Sequence, residues 1–246
     1  MHGIILAAGR GSRMGAATEL QPKCLTLVGG SALLEFQRKA LTPSVGDKLT
    51  VITGYRSELL SNFGLDLIHN PKWNSTNMVG SLMVADQILK SEESIVSYSD
   101  ILYPGSAVSS LRQNDSEIAV LYSAKWLDIW RMRFTDPLDD AESFKLGLDG
   151  AITEIGLPVE DIAEVQGQYM GLIKFQPTGW EKAKMIIEET EPEIALRMSM
   201  TELLQMIIVK FPQTVFGVPF FGNWWEFDSE NDIKAFEKSK LIIDLH

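Results

Sequence analysis

Short apolar segments alternate with helical segments over the first 116 residues, and this alternation restricts the fold more than any other feature of the chain. Each apolar segment is bounded by glycine or polar residues, as is typical of buried strands; these segments are residues 2–7, 49–53, 65–69 and 94–98. Helical spacing or capping predicts helices over 31–41, with Ser31 as the cap, from Ser57 for a short distance, and over 79–89. Strands and helices joined by short connections favour a parallel sheet covered by helices on both faces.

The pattern changes after about residue 117, where turns instead of long helices separate the apolar segments. Strands are predicted over 117–123, 144–146, 151–155, 168–175, 214–218 and 224–227, and helices over 178–189, 200–209 and 229–240. The stretch LGLDGAITEIG indicates a hairpin with Asp149 and Gly150 as a two-residue turn. No repeat or low-complexity linker divides the chain. We therefore predict a single α/β domain over 1–246 with a mostly parallel central sheet and a small β-rich insertion in the second half.

Composition excludes several classes of protein. The single cysteine, Cys24, leaves no internal disulfide, and histidines only at positions 2, 69 and 246 leave no Cys/His zinc site. No apolar run approaches the roughly 20 residues of a membrane span, and the amino terminus lacks a signal region. A net charge of −11 argues against nucleic acid as a partner. We expect a cytoplasmic protein with no membrane or nucleic-acid partner.

The stretch LAAGRGSRMG begins at the end of the first strand and continues into the turn after it, and glycine-rich turns at this place often hold phosphates. A P-loop is excluded because no GK[ST] sequence ends the turn. A dinucleotide site is disfavoured because Gly9, Gly11 and Gly15 have GxGxxxG spacing and because the second strand ends without an acid. The two remaining interpretations are a loop that wraps a triphosphate with help from Arg13 and Lys23, and a tight turn with exposed arginines.

The motif GIILAAGRGSRMG, followed by LQPKCLTLVGGSALLEF, resembles the signature of the nucleotidyltransferases, which couple an NTP to a small phosphorylated molecule and release pyrophosphate. HNPKWNSTNMVGSLMVA is similar to the segment that reads a pyrimidine in the cytidylyltransferase branch. DPLDDAESF, VQGQYMGLIKF and MTELLQMII are similar to segments of cytidylyltransferases that act on 2-aminoethylphosphonate and phosphocholine. The order Ala7-Ala8-Gly9 departs from the molybdopterin guanylyltransferase branch, which has two glycines after the first alanine.

The resemblance implies a Rossmann-like three-layer nucleotidyltransferase fold in which residues 1–116 bind CTP and residues 117–246 bind the acceptor and complete the metal site. It implies a catalytic role for Lys23 and Arg13. The residues expected to bind the nucleotide are Leu6, Ala7, Ala8, Gly9, Gly11, Ser12, Arg13, Asn77, Gly80, Ser81 and Asp100. An alternative for Asn77 and Ser81 is that they only start a helix.

Two aspartates at strand ends are candidate metal ligands. Asp100 closes a strand and Asp228 follows the strand WWEF, so the two carboxylates could share one hard cation. Glu226 lies two residues before Asp228 on the same side of the strand and is a third candidate. The resemblance implies Mg²⁺ here, with Mn²⁺ as a substitute; the alternative is that either aspartate caps the next helix.

The segment KWLDIWRMRFTDPLDDAESF is the candidate acceptor pocket. In an extended conformation Arg131 and Arg133 would share a face that could bind phosphonate. Four nearby acids, or an aromatic box that includes Trp126, could hold an ammonium group; the acids are Asp136, Asp139, Asp140 and Glu142. Trp224 and Trp225 would face opposite sides of a strand, one of them inward. The predicted acceptor-binding set is Trp130, Arg131, Arg133, Asp139, Glu142, Tyr169 and Trp225.

Carboxylates favour a primary amine, so 2-aminoethylphosphonate is the favoured acceptor and phosphocholine the next. One alternative function is a sugar-1-phosphate nucleotidyltransferase. Another is a catalytically silent NTP-binding subunit or sensor, although such a chain is expected to lose Lys23 or a carboxylate. A metal-dependent glycosyltransferase is disfavoured because residues 98–100 do not form Asp-x-Asp. Many relatives of this fold form dimers, so a homodimer is one expectation, although no exposed apolar stripe in the sequence proves it.

Overall fold

The computed structural model describes residues 1–241 and Ile243. Its strands are β1 (His2–Ala7), β2 (Leu27–Val28), β3 (Ser31–Ala32), β4 (Leu49–Thr53), β5 (Asp66–His69), β6 (Ser94–Tyr98), β7 (Ile101–Leu102), β8 (Ile118–Ser123), β9 (Glu142–Leu146), β10 (Ile152–Pro158), β11 (Gln168–Phe175), β12 (Val215–Phe220) and β13 (Trp225–Glu226). The end of the predicted domain and His246 lie outside the described residues.

Helices connect these strands. The α-helices are α1 (Leu33–Val45), α2 (Met78–Leu82), α3 (Asp86–Ser91), α4 (Gly105–Arg112), α5 (Trp126–Arg133), α6 (Pro177–Glu189), α7 (Pro192–Arg197), α8 (Met200–Lys210) and α9 (Glu230–Ser239). Short 3₁₀ helices lie at Ser12–Thr18, Lys23–Leu25, Ser57–Phe63, Met83–Ala85, Pro137–Asp139 and Ile162–Glu164. Within the described residues, no helix is both long enough and apolar enough to cross a membrane.

The central sheet has seven strands in the order β12-β8-β11-β6-β1-β4-β5. β1 lies between β4 and β6 and is parallel to both, β4 is parallel to β5, and β12 is parallel to β8. Only β11 runs antiparallel to its neighbours β6 and β8. The predicted α/β fold with a mostly parallel central sheet is confirmed.

Alternate side chains of β1 enter two separate cores, one on each face of the sheet. Ile5 belongs to the core that α1 and α4 cover, and Ile4 belongs to the core that α6 and α8 cover. Both side chains are completely buried, and each such burial contributes about 1.5–3 kcal/mol. Burial on both faces explains why the strand is a continuous apolar run instead of an alternating one. The result is a three-layer α/β/α arrangement.

The β-rich part of the second half is the antiparallel pair β9 and β10, which packs against α8. The predicted two-residue turn at Asp149 and Gly150 is wrong, because residues 147–151 together connect the two strands. Gly147 N–H donates to the Ala151 carbonyl oxygen at 2.8 Å, and the Asp149 carboxylate accepts from Ala151 N–H at 3.1 Å. These local bonds stabilise the wider loop.

Two helix predictions differ from the structure. The single helix predicted over 79–89 is divided into α2 and α3 by the 3₁₀ turn Met83–Ala85, where Ala85 leaves the helical region with φ −97° and ψ 14°. The Trp180 indole N–H donates to Asp86 at 2.9 Å and anchors α3 to α6. Ser31 does not cap a helix, because β3 pairs with β2 and α1 begins only at Leu33.

Candidate active site

The glycine loop after β1 forms one wall of a cavity of about 220 Å³ at the carboxyl ends of β1 and β6. Its lining includes nearly all of the predicted nucleotide-binding residues, together with Lys23 and Asp228; these are Leu6, Ala8, Gly9, Gly11, Ser12, Arg13, Asn77, Ser81 and Asp100. Two predicted residues do not line it. Ala7 points into the core below, and Gly80 packs against α7, where a Cβ would lie 2.5 Å from the Leu196 carbonyl oxygen.

Asp100 and Asp228 line this cavity, and their carboxylates form a cluster with that of Glu226: one oxygen from each of the three lies within 4.8 Å of the other two. The pairing of β13 with β7 brings them together, because Glu226 lies opposite Ile101, directly after Asp100. Phe227 N–H also donates to the Asp100 carbonyl oxygen at 2.9 Å. β13 and the residues directly after it therefore place Glu226 and Asp228 beside Asp100, which follows β6.

Lys23 lies between two of these acids. Its Nζ donates to Asp100 Oδ2 at 2.6 Å and to Asp228 Oδ1 at 2.7 Å, and the residue is only 7% exposed. Burial opposes its charge, but the attraction of both carboxylates outweighs burial and raises the pKa of Lys23. Arg13 reaches Asp228 from the solvent side at 3.0 Å. The two predicted catalytic cations thus meet at the predicted metal carboxylates.

The carboxylates differ in their electrostatic environment. Burial and the neighbouring charge of Asp228 raise the pKa of Glu226 to about 8. Burial also disfavours the Asp228 carboxylate, but the charge of Lys23 outweighs burial and lowers its pKa. The carboxylates of Glu226 and Asp228 lie close enough to repel each other, so the cluster favours a bound cation that neutralises both.

The donor set fits a hard divalent cation such as Mg²⁺ or Mn²⁺, which prefers oxygen ligands. One oxygen of the cluster, Asp100 Oδ1, is buried without a hydrogen-bond partner among the described residues. An unpartnered buried carboxylate oxygen is costly unless a ligand satisfies it. Asp100, Glu226 and Asp228 are the residues that could hold the metal.

A second cavity, of about 310 Å³, adjoins the first, and Arg13, Asn77 and Asp228 line both. We call it the acceptor cavity. Three of its lining residues, Trp130, Glu142 and Tyr169, belong to the predicted acceptor-binding set. Asp140 also lines it, whereas the predicted Asp139 is exposed at the end of a 3₁₀ helix and does not. Consecutive residues of a turn point in different directions, so the sequence did not show which acid faces inward.

The predicted extended segment with Arg131 and Arg133 on one face is wrong, because these residues end the helix α5. A helix turns by about 100° per residue, so residues two apart point in nearly opposite directions. Arg131 is exposed, whereas the Arg133 side chain is completely buried, and neither lines the acceptor cavity.

The predicted roles of three tryptophans are also wrong. Trp224 and Trp225 are both at most 1% exposed, so neither faces the acceptor cavity as one of them was expected to do. Trp225 packs on Phe236 and donates its indole N–H to the Asp232 carbonyl oxygen at 3.2 Å. Trp126 likewise belongs to the core and donates to Val165. Long apolar side chains near a site are more often core than ligand contacts.

Residues 3–146 match the MobA-like NTP transferase domain family. The chain belongs to this family. A CTP:phosphoglutamine cytidylyltransferase of Campylobacter jejuni is 32% identical over 251 residues, which cover 96% of this chain and 98% of that protein. A 2-aminoethylphosphonate cytidylyltransferase of Lancefieldella rimae is 26% identical over 106 residues, or 41% of this chain and 43% of that protein. This MobA-like chain is a nucleotidyltransferase of the cytidylyltransferase branch, as the sequence motifs predicted.

The fold of this MobA-like nucleotidyltransferase is also that of solved relatives. The structure of a CTP:phosphocholine cytidylyltransferase from Streptococcus pneumoniae superposes with a TM-score of 0.74 at 22% identity, and the alignment covers 97% of this chain and 98% of that one. The Rossmann-like fold implied by the sequence motifs is therefore confirmed over nearly the whole chain.

Several residues that line the first cavity were not singled out from the sequence; they are Trp73, Thr76, Met78, Tyr98 and Ser99. Trp73, Thr76 and Met78 lie in the segment that resembles the pyrimidine-reading motif, and Tyr98 and Ser99 directly precede Asp100. The sequence therefore located these walls without indicating which side chains face inward. Asn70 organises one wall, since its side chain donates to Thr76 Oγ1 at 2.9 Å and to Ser81 Oγ at 3.2 Å.

Gly11 is expected to be essential for the position of Lys23. Its φ is +73°, and a Cβ would lie 2.8 Å from Lys23 Cβ. We predict that Gly11→Ala lowers kcat by about tenfold to a hundredfold, because it displaces Lys23 from the acids. Gly29→Ala is the matched control, since φ there is +57° but no atom lies within 4 Å of the added methyl. Equal losses in steady-state turnover for both variants would show that backbone strain alone is responsible.

Proposed function

We propose that this protein transfers CMP from CTP to the phosphate or phosphonate oxygen of a small acceptor that carries an amino group, with release of pyrophosphate. The observation that carries the proposal is the junction of the two cavities. One cavity combines a glycine loop with Lys23, Arg13 and the carboxylates of Asp100 and Asp228. The other is lined by Glu226, by further carboxylates and by aromatic rings.

CTP occupies the first cavity in this proposal. Backbone N–H groups of the glycine loop face the triphosphate, and Arg13 contacts the β- and γ-phosphates. Lys23 contacts the α-phosphate. To do so it gives up part of its hydrogen bonding to Asp100 and Asp228. The cytosine lies towards Asn77 and Ser81, whose small polar groups suit a pyrimidine.

The reaction is a direct displacement. An oxygen of the acceptor phosphate attacks the α-phosphorus of CTP, the new P–O bond forms, and the bond to the pyrophosphate oxygen breaks. The acceptor oxygen is already anionic near neutral pH, so no side chain has to remove a proton. Mg²⁺ held by Asp100, Glu226 and Asp228 would neutralise charge on the phosphates. Lys23 and Arg13 stabilise the charge that develops on the transferred group and on the leaving pyrophosphate.

The acceptor cavity favours a cationic group at the end of the acceptor distant from its phosphate. Asp140 and Glu142 line the cavity, and burial raises the pKa of both carboxyls above the usual value. A primary ammonium donates hydrogen bonds to such carboxylates and repays the cost of burying them. 2-Aminoethylphosphonate is the simplest acceptor of this kind, and phosphoglutamine also carries a primary amine.

The decisive experiment measures pyrophosphate release with each of four NTPs against 2-aminoethylphosphonate, phosphoglutamine, phosphocholine and glucose 1-phosphate. We expect turnover with CTP and Mg²⁺ for a primary-amine acceptor, weaker turnover of phosphocholine, and none of glucose 1-phosphate. Turnover of glucose 1-phosphate alone would support the sugar-nucleotide alternative. A protein that binds CTP without turnover of any acceptor would support the silent NTP-binding alternative.

Asp140→Asn is expected to raise KM for the amine-bearing acceptor by about tenfold, because a hydrogen bond to a charged group contributes about 1.5–3 kcal/mol. KM for CTP should stay unchanged, since Asp140 lines only the acceptor cavity. The control is Asp128→Asn, an exposed carboxylate on α5 outside both cavities. Initial-rate kinetics with each substrate varied in turn would reveal a wrong assignment as an unchanged acceptor KM.

A further inference from the structure

Arg133 is buried beside the carboxylate cluster. Its side chain has no exposed surface, and it lines neither cavity. Its guanidinium contacts two residues that do line the acceptor cavity, Glu226 and Trp130. Its function must therefore lie in what it does to its neighbours.

The guanidinium forms a fork between two acids on different elements. Nη1 donates to Glu226 Oε2 at 2.8 Å, and Nε donates to Asp232 Oδ1 at 2.8 Å. Nη2 lies 3.7 Å from Asp228 Oδ2 and has no hydrogen-bond partner among the described residues. One side chain of α5 therefore faces two acids of the cluster and one acid of α9.

Asp232 transmits this contact to the backbone that carries Asp228. The second oxygen of Asp232 accepts from Asp228 N–H at 3.1 Å, from Ser229 N–H at 2.8 Å and from Ser229 Oγ at 2.8 Å. This is the capping box of α9. The Arg133 fork thus fixes the Glu226 side chain directly and the Asp228 backbone through Asp232.

Two aromatic rings hold the fork in place. The guanidinium carbon lies 5.2 Å from the Trp130 ring centroid and 4.9 Å from the Phe134 ring centroid. Arginine suits this position because its planar group stacks on the rings and its donors sit on separate nitrogens that reach Glu226 and Asp232 together, whereas lysine has a single nitrogen and no planar group.

We propose that Arg133 is a positioning residue that sets the geometry of Glu226 and Asp228 for a divalent cation. The inference rests on the proposed function to the extent that this function places the metal at the same acids. It differs from the interpretation of Arg133 as a ligand of the acceptor phosphonate, because its effect reaches the reaction only through the carboxylates.

The test is Arg133→Lys, which keeps the charge but loses the fork. We expect the dissociation constant for Mn²⁺, measured by calorimetry without nucleotide, to rise at least tenfold, as is usual when a partner of a metal ligand is removed. The Mg²⁺ concentration for half-maximal turnover should rise by a similar factor, with the acceptor KM within twofold of wild type. Arg112→Lys, the same change at an exposed position on α4, is the control.

Asp232→Asn breaks the same link from the other side, because an amide cannot accept at both of its polar atoms. We expect it to weaken Mn²⁺ binding as well. If circular dichroism shows that Arg133→Lys does not fold, the Mn²⁺ affinity of Asp232→Asn tests the inference in its place. Wild-type Mn²⁺ affinity in both folded variants would overturn the inference, as would a raised acceptor KM with unchanged Mn²⁺ affinity. A wild-type protein that binds Mn²⁺ but does not use CTP would overturn the proposed function and leave this inference standing.

Discussion

Replacing Lys23 by alanine is expected to lower kcat for CMP transfer by about a hundredfold to a thousandfold, the usual loss when a group that stabilises developing charge is removed. Lys23 is buried at the junction of the glycine loop and the carboxylates, with Nζ within 2.7 Å of both Asp100 and Asp228. It is therefore the cation best placed to contact the α-phosphate. Arg13 cannot replace it, because the Arg13 side chain is 71% exposed and approaches Asp228 from the solvent side.

The variant should also be less stable without metal, because alanine removes the lysine partner of Asp100 and, among the described residues, leaves Asp228 with only Arg13 and Arg133. Loss of one partner from a buried ion pair costs about 3–5 kcal/mol. Thermal unfolding with and without Mg²⁺ separates this effect from catalysis, since Mg²⁺ should restore part of the lost stability. Lys39→Ala, on the exposed face of α1, is the control. A Lys23→Ala enzyme within tenfold of the wild-type rate would contradict the proposed role.

Asp100→Asn is expected to have the second largest effect, a loss of about a hundredfold in kcat at fixed Mg²⁺ together with a higher Mg²⁺ requirement. The substitution keeps the shape but replaces a charged ligand by a neutral amide. A hard cation prefers the carboxylate. Asp100 Oδ1 also has no hydrogen-bond partner among the described residues, so none of their groups competes with a ligand for this oxygen.

The measurement is the Mg²⁺ dependence of pyrophosphate release, with Mn²⁺ binding followed by calorimetry. Asp66→Asn, an exposed carboxylate on the edge strand β5, is the matched control. An Mg²⁺ activation curve equal to that of the wild type would exclude Asp100 as a metal ligand. High Mg²⁺ should rescue part of the activity, since Glu226 and Asp228 remain.

Much of the candidate site could be predicted from the sequence because its parts are local. The turn after β1 has a glycine spacing of its own, Lys23 follows within a short motif, and Asp100 and Asp228 each follow a recognisable strand. The carboxyl ends of parallel strands meet at one edge of a sheet, so these residues were expected to approach one another.

The acceptor side could be predicted less well because its contacts depend on the direction of each side chain. Residues 126–133 have apolar and charged side chains compatible with a strand or a helix, and helical geometry separates Arg131 from Arg133. A shift of one residue in a turn determines that Asp140 and not Asp139 lines the cavity. No periodic pattern in the sequence distinguishes helix from strand over 126–133, and none shows which of Asp139 and Asp140 faces the cavity.

By itself, the sequence determined the alternation of strands and helices and the principal charged residues, because apolar periodicity and short glycine motifs act locally. The class of reaction followed from the resemblance of its motifs to those of the nucleotidyltransferases. Only the tertiary structure decided that Arg133 does not line the acceptor cavity and instead holds Glu226 and Asp232. The physical reason is that a buried guanidinium is stable only where several carboxylates surround it. Here α5, β13 and α9 bring those carboxylates together from distant parts of the chain.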